Sequence, residues 1–156
     1  MVSSDLYKIR RMADYQFGTG VGEILFPCDI TIEKSKSTGR IRRIYHQGKL
    51  IATIRASDGF IALSIEGARR LIKQLPKPKL RVVVKKEASK FIRKGRNVFA
   101  KHVVEVDPEI RSGSEVIVVD EEDNLLAVGR AVLSSVEMMS FKRGVAVRVR
   151  RGEGGE

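Results

Sequence analysis

The 156-residue chain contains one cysteine, two histidines and no tryptophan, and its aromatic content is low, with three tyrosines and six phenylalanines. With Cys28 alone no intramolecular disulfide can form, and one cysteine plus His46 and His102 cannot supply the ligands of a structural zinc cluster. No apolar run approaches the roughly 18 residues needed to cross a bilayer. The N-terminal stretch Ser3-Ser4-Asp5-Leu6 lacks the basic and apolar regions of a secretory signal, so a cytoplasmic address is expected. Acids are scarce relative to bases: 19 Asp and Glu face 30 Lys and Arg, a formal net charge of +11. Hydrophobic residues make up 42%, too many for a disordered basic tail, and the length allows one ordinary domain or two small ones.

What is present is basic charge, unevenly spread. Residues 81–101 hold 8 bases and one acid, 105–123 hold 8 acids and one base, and 130–151 hold 6 bases and one acid. Excess positive charge in segregated blocks suits a polyanion, because Lys and Arg that neutralise phosphates release condensed counterions. Nucleic acid is favoured over a membrane surface, since no segment reads as a basic amphipathic helix with exposed Trp, Phe or Leu.

Pro76-Lys77-Pro78-Lys79 marks the clearest boundary, because each proline biases the preceding residue toward extended structure. The expected organisation is 1–77, 78–152 and a disordered tail, 153–156. In the first part, Ser4 or Asp5 can cap a helix whose apolar positions Leu6, Ile9, Ala13 and Phe17 follow the 3.6 period. Runs 30–33, 41–46, 50–55 and 60–63, separated by Gly, Ser and Asp turns, read as a β-meander. Ser64 then caps a helix with Ile65, Ala68, Leu71, Ile72 and Leu75 on one face. In the second part, strands are expected at 80–84, 98–106, 115–119, 125–133 and 145–150. A helix over 87–94 buries Ala88, Phe91 and Ile92. One helix with five or six strands points to a small curved sheet or barrel, and the fold class is α+β.

Catalytic constellations are nearly absent. His46 and His102 fall in predicted strands away from any nucleophile motif, and Cys28 reads as a small packed hydrophobe. Asp120 to Asp123 lack calcium-loop spacing and read as a solvated hairpin tip. Gly18-Thr19-Gly20-Val21-Gly22 follows a helix and is not ended by Gly-Lys-Ser/Thr, so it reads as a mobile connector or turn and not a phosphate loop. The informative stretch is Lys90-Phe91-Ile92-Arg93-Lys94-Gly95-Arg96-Asn97-Val98-Phe99-Ala100-Lys101. Basic residues at a helix end, a glycine, and a strand carrying Phe99 and Lys101 make a place for a phosphate backbone. On this reading Arg93, Lys94, Arg96 and Lys101 matter more than Arg69, Arg70 and Lys73.

Residues 80–151 resemble a PUA domain, the RNA-binding pseudobarrel named after pseudouridine synthases and archaeosine transglycosylases. The resemblance is carried by Arg93 to Lys101 and by Glu109-Ile110-Arg111-Ser112-Gly113-Ser114-Glu115-Val116. It continues through Leu126-Ala127-Val128-Gly129-Arg130-Ala131 and Lys142-Arg143-Gly144-Val145-Ala146-Val147. In the first half, Ala13-Asp14-Tyr15-Gln16-Phe17-Gly18 through Glu23, and Ile44-Tyr45 through Ser57-Asp58-Gly59, are similar to the domain preceding the PUA in archaeal tRNA-guanine transglycosylases. The resemblance implies a small α+β N-terminal domain followed by a PUA-type β pseudobarrel that grips the acceptor stem and 3′ end of tRNA. Its RNA contacts would be Arg93, Lys94, Gly95, Arg96, Lys101, Arg130, Lys142, Arg143 and Gly144. A groove would lie between the helix end at Lys94-Gly95 and the strand near Lys142-Arg143-Gly144, with Phe99 and Phe141 expected in the core. The family's catalytic barrel, with paired aspartates and a zinc site, has no counterpart in these residues. The expectation is therefore a non-catalytic module with no metal or cofactor, the detached RNA-binding subunit of a split archaeosine transglycosylase partnered by tRNA and a separate catalytic subunit. The alternatives are a PUA protein acting on rRNA or ribosomes, and an adaptor whose acidic tip docks a basic protein.

Overall fold

In the computed structural model, which describes residues 3–154, the chain separates into two compact units, Met1–Gln74 and Leu75–Glu156. The first opens with α1 (Ser4–Phe17), which buries Leu6, Ile9, Ala13 and Phe17 along one stripe. Its cap is Ser3, one residue before the expected position, whose hydroxyl accepts the Leu6 N–H at 3.1 Å. The expected connector or turn is a tight turn over Thr19 and Gly20, and an unexpected second helix follows it, α2 (Val21–Leu25). The Asp14 carboxylate accepts the Gly22 N–H at 2.7 Å, and a Cβ at Gly22 would stand 2.2 Å from the Arg10 carbonyl oxygen. That glycine therefore serves a close helix crossing, and not flexibility. The strands β1 (Ile30–Lys34), β2 (Ile41–His46), β3 (Lys49–Ile54) and β4 (Ile61–Leu63) form an antiparallel meander in sequence order. Helix α3 (Ile65–Gln74), capped by Ser64 through the Gly67 N–H at 3.1 Å, buries Ala68 and Leu71, while Ile65, Ile72 and Leu75 are only half-buried. Cys28 is exposed instead of packed, because it sits in the turn leaving α2 and not on an apolar face.

The second unit contains β5 (Arg81–Val84), α4 (Ser89–Arg93), β6 (Val98–Phe99), β7 (Val103–Val106), β8 (Glu115–Val119), β9 (Leu125–Ala131), α5 (Ser135–Ser140) and β10 (Val145–Gly152). These strands build one nearly closed mixed sheet, the pseudobarrel, in the order β6-β10-β9-β8-β5-β7, with β5 parallel to β8 and the remaining pairs antiparallel. Its core gathers Val82, Val84, Ile92, Val98, Val116, Val118, Leu126, Met138 and Val147.

Several local expectations change for identifiable reasons. The single strand expected over 98–106 is broken by a 3-10 turn, Ala100–His102, because β6 and β7 lie at opposite ends of the strand order and the chain must turn between them. The strand expected over 125–133 ends at Ala131. The unexpected α5 then begins with a capping box, in which Ser134 Oγ accepts the Glu137 N–H and Glu137 Oε1 accepts the Ser134 N–H. Phe91 is exposed, with the Lys90 ammonium 5.2 Å from its ring centroid. The proline segment, expected as an extended linker or strand entry, forms turns, with Lys79 N–H donating to the Pro76 carbonyl and Arg81 N–H to that of Pro78, and leads into β5 at Arg81. Of the tail expected to be disordered, Glu153 and Gly154 are hydrogen-bonded to the Leu126 and Arg93 carbonyls, and residues 155–156 lie outside the described residues. No helix among the described residues is long and apolar enough to cross a membrane.

Arg81 anchors this unit. Its side chain has no exposed surface, and its guanidinium donates to both Asp123 oxygens, at 3.1 and 3.0 Å, and to the carbonyls of Lys79 and Leu75. Removing one partner of a buried ion pair costs more than the pair contributes, because the other charge remains buried. Asp123 also adopts a left-handed φ of 64°, which Asn tolerates, so Asp123→Asn isolates the charge. We expect it to destabilise the protein by about 2–4 kcal/mol, toward the lower part because Asp123 keeps some solvent contact, as read by denaturant unfolding. A loss below half a kcal/mol would remove Arg81 from this anchoring role.

Candidate nucleic-acid interface

The sequence-predicted contacts divide between places in the second unit. Lys101, Lys142, Arg143 and Gly144 come together with Phe99 around a cavity of about 330 Å³ that has no acidic residue in its lining. The pairing of Phe99 with Val145 and the Ala100 N–H bond to the Gly144 carbonyl, 2.9 Å, bring the two segments side by side. Gly144 has a φ of +95°, and the position of a Cβ there meets no atom within 4 Å, so the loop presents open backbone to the cavity. Phe99 and Phe141, expected in the core, are 44% and 47% exposed. Phe99 sits edge-on to the His102 ring at 6.5 Å. The reason is local: Phe99 ends a two-residue strand at a sheet edge, and Phe141 terminates α5, so neither reaches the interior.

Arg93, Lys94, Gly95 and Arg96 do not form the opposite wall of this groove. They lie where α4 ends against the far end of β10: the Arg93 guanidinium pairs with Glu153 at 2.7 Å, and the Arg93 carbonyl accepts the Gly154 N–H at 2.9 Å. The start and the end of β10 are separated by on the order of 20 Å at about 3.3 Å per residue. Gly95, with a φ of 103°, closes the helix and lies against Gly152, where an added Cβ would meet the Gly95 nitrogen at 2.7 Å. Lys94 and Arg96 point to solvent. Arg130, on β9, is exposed and faces Arg148 across β10 and Glu115 across β8. The buried Glu115 carboxylate is held by the Arg150 guanidinium.

At the acidic tip Glu121 and Glu122 are exposed, as expected of a solvated hairpin tip, while Asp120 and Asp123 are half-buried and hydrogen-bonded within the protein. Burial pushes the Asp120 carboxyl up, but hydrogen bonds from the Asn124 backbone and side chain and the Glu122 backbone, with the Lys77 charge, prevail and hold it below the ordinary carboxylate value. A depressed carboxyl stabilises above the unfolded-state pKa and loses that contribution as pH falls through the folded one, so this turn loosens only in acid. His46 Nε2 meets Asp29 Oδ1 at 3.1 Å in the first unit, and His102 meets the Phe99 ring. Among the described residues no group of three or more His, Cys, Asp or Glu side chains is placed to hold a metal ion.

A small meander domain followed in the sequence by a mixed pseudobarrel defines a two-domain chain whose second domain has the PUA architecture, and comparison with known proteins agrees. Residues 80–152 match the PUA domain and residues 7–78 match the patch-forming domain C2 of tRNA-guanine transglycosylase. Together the two matches take in nearly the whole chain, a C2 domain followed by a PUA domain, and the same stretch is similar to the C-terminal part of archaeal tRNA-guanine(15) transglycosylases. It is 49% identical to the transglycosylase of Methanothermobacter thermautotrophicus over 95% of this chain and 23% of that protein. It is 51% identical to that of Pyrococcus furiosus over 92% of this chain and 24% of that protein. The chain thus spans about a quarter of these relatives. Among solved structures, it superposes on a hypothetical protein of Pyrococcus horikoshii with a TM-score of 0.76 and 26% identity, covering 97% of this chain and 92% of that one.

Ring exposure is testable by stability. Truncating a buried phenylalanine such as Phe26, which has no exposed surface, costs about 3–5 kcal/mol. Phe99→Ala and Phe141→Ala should each cost only about 1 kcal/mol by the same measure. Equal losses at all three positions would place the rings in the core.

Proposed function

We propose that this chain binds structured RNA, and specifically the acceptor stem and 3′ end of tRNA, in support of tRNA modification. It contributes binding and not base exchange, and it works with a separate transglycosylase catalytic subunit. The observation that carries the reading is the cavity lined by Lys101, Lys142, Arg143, Gly144 and the exposed Phe99, with no acid in its lining, on a PUA fold. Three cations suit phosphates, the open glycine allows close backbone approach, and an aromatic face accepts an unpaired base. On this reading Lys94, Arg96 and Arg130 add outlying phosphate contacts, while Arg93 and Gly95 hold the end of α4. The relatives support the choice of RNA, since tRNA-guanine(15) transglycosylases act on tRNA by name. In the adaptor alternative only Glu121 and Glu122 are exposed to meet a basic partner, since Asp120 and Asp123 are engaged within the protein.

Two outcomes are expected. Lys142→Gln with Arg143→Gln should weaken tRNA binding and lower the slope of log affinity against log salt by roughly 2, about one per cation removed. Arg69→Gln with Arg70→Gln should change it less, because Arg69 pairs with Glu66 and Arg70 bonds the Ile24 carbonyl; equal slopes would mean a diffuse electrostatic surface. Titration of intact and 3′-trimmed tRNA at fixed salt should show a loss of about 1–3 kcal/mol per stacked base removed. Indistinguishable affinities would shift the assignment to rRNA.

A further inference from the structure

The first unit carries a second cavity, unrelated to the cationic groove, of about 600 Å³ between α1 and the turn joining β3 to β4. Its volume lies within the roughly 300–1,000 Å³ of small-ligand pockets. The α1 face opposite the buried stripe presents Tyr7, Arg11 and Tyr15 at successive intervals of four, so all three stand on one side of the helix. Tyr15 is 86% exposed, Tyr7 57%, and Phe60, from the turn, 44%. Three exposed rings around one cavity, in a chain so poor in aromatics, are not scattered surface residues.

The walls are fixed before any ligand arrives. The Gln16 amide bridges α1 to β4 at two points, its Nε2 donating to the Ile61 carbonyl at 2.9 Å and its Oε1 accepting the Ile61 N–H at 2.7 Å. Asp58 fixes the turn by accepting the Phe60 N–H at 2.9 Å and the Arg55 guanidinium at 3.1 Å. Arg11 lies over the Tyr7 ring, 5.6 Å from its centroid, with Nη1 donating to the Tyr7 hydroxyl at 2.8 Å. The sole carboxylate in the lining is thus engaged, and Lys8 and Arg11 set the charge of the rim. A cavity with flat aromatic walls and cations at its edge matches an occupant that has flat apolar rings and negative charge.

We propose that this cavity binds unpaired nucleotides of an RNA strand, a base stacking on Tyr15 and the adjoining phosphates lying against Lys8 and Arg11. The inference rests on the RNA-binding reading above and adds to it a separate, single-strand contact on the other unit. A chain without tryptophan allows a direct readout, because tyrosine emission is visible and a stacked base quenches it.

The test titrates the full chain with a fluorescein-labelled, mixed-sequence single-stranded RNA dodecamer at fixed salt, following both label anisotropy and tyrosine emission. Tyr15→Ala should weaken binding about 5- to 100-fold and abolish most of the quenching, whereas Tyr15→Phe should bind as the parent does. At 86% exposure, truncation of Tyr15 leaves the fold intact. If Tyr15→Ala binds as the parent does, the proposal is overturned and the surface passes to a protein partner, while tRNA binding at the groove stands. If the parent protein binds neither the oligomer nor tRNA, both readings fall together.

Discussion

At the root of β5 a guanidinium with no exposed surface is held by one carboxylate and two carbonyls, and the geometry of the second unit follows from that requirement. A buried Arg cannot shed its proton, so every donor must find an acceptor or the site cannot close. Asp123 supplies the charge from the β8–β9 tip, Lys79 and Leu75 supply oxygens from the chain leading into β5, and the three segments are thereby fixed together. Asp107 works alongside, its buried carboxylate accepting the Leu80 N–H at 2.7 Å and the Glu109 N–H at 3.0 Å. With β5 so placed, its parallel pairing with β8 and antiparallel pairing with β7 set the register of one side of the sheet.

The same contacts explain how a unit with many acids presents a cationic groove. In the acidic stretch 105–123, Asp107 satisfies backbone donors, Glu115 holds Arg150, Asp120 ties its own turn and Asp123 holds Arg81. These carboxylates are committed to structure, whereas Lys101, Lys142 and Arg143 converge on a cavity that has no acid in its lining. Net charge counted along the sequence therefore understates the field at that groove.

Much of the fold was legible in the residues. The 3.6 period of Leu6, Ile9, Ala13 and Phe17, the turn residues between four short β-runs, and the alternation along 145–150 each appear as α1, the meander and β10. Helix α5 was missed, although Ser134 and Glu137 stand at capping-box spacing, because its six residues are too few to show a 3.6 period. The site was legible in kind, as basic residues with glycine and phenylalanine, and misplaced in detail.

The sequence by itself determined the composition of the surface, the periodicity of most elements and the family, because burial on one face of a helix or strand is written locally. Only the tertiary structure decided which cations share a groove. Arg93 looks like its basic neighbours until Glu153, sixty positions later, closes on it, and Lys101 joins Lys142 only because β6 pairs with β10. Strand order and long-range ion pairing are set by chain topology, which leaves no trace in the spacing of nearby residues.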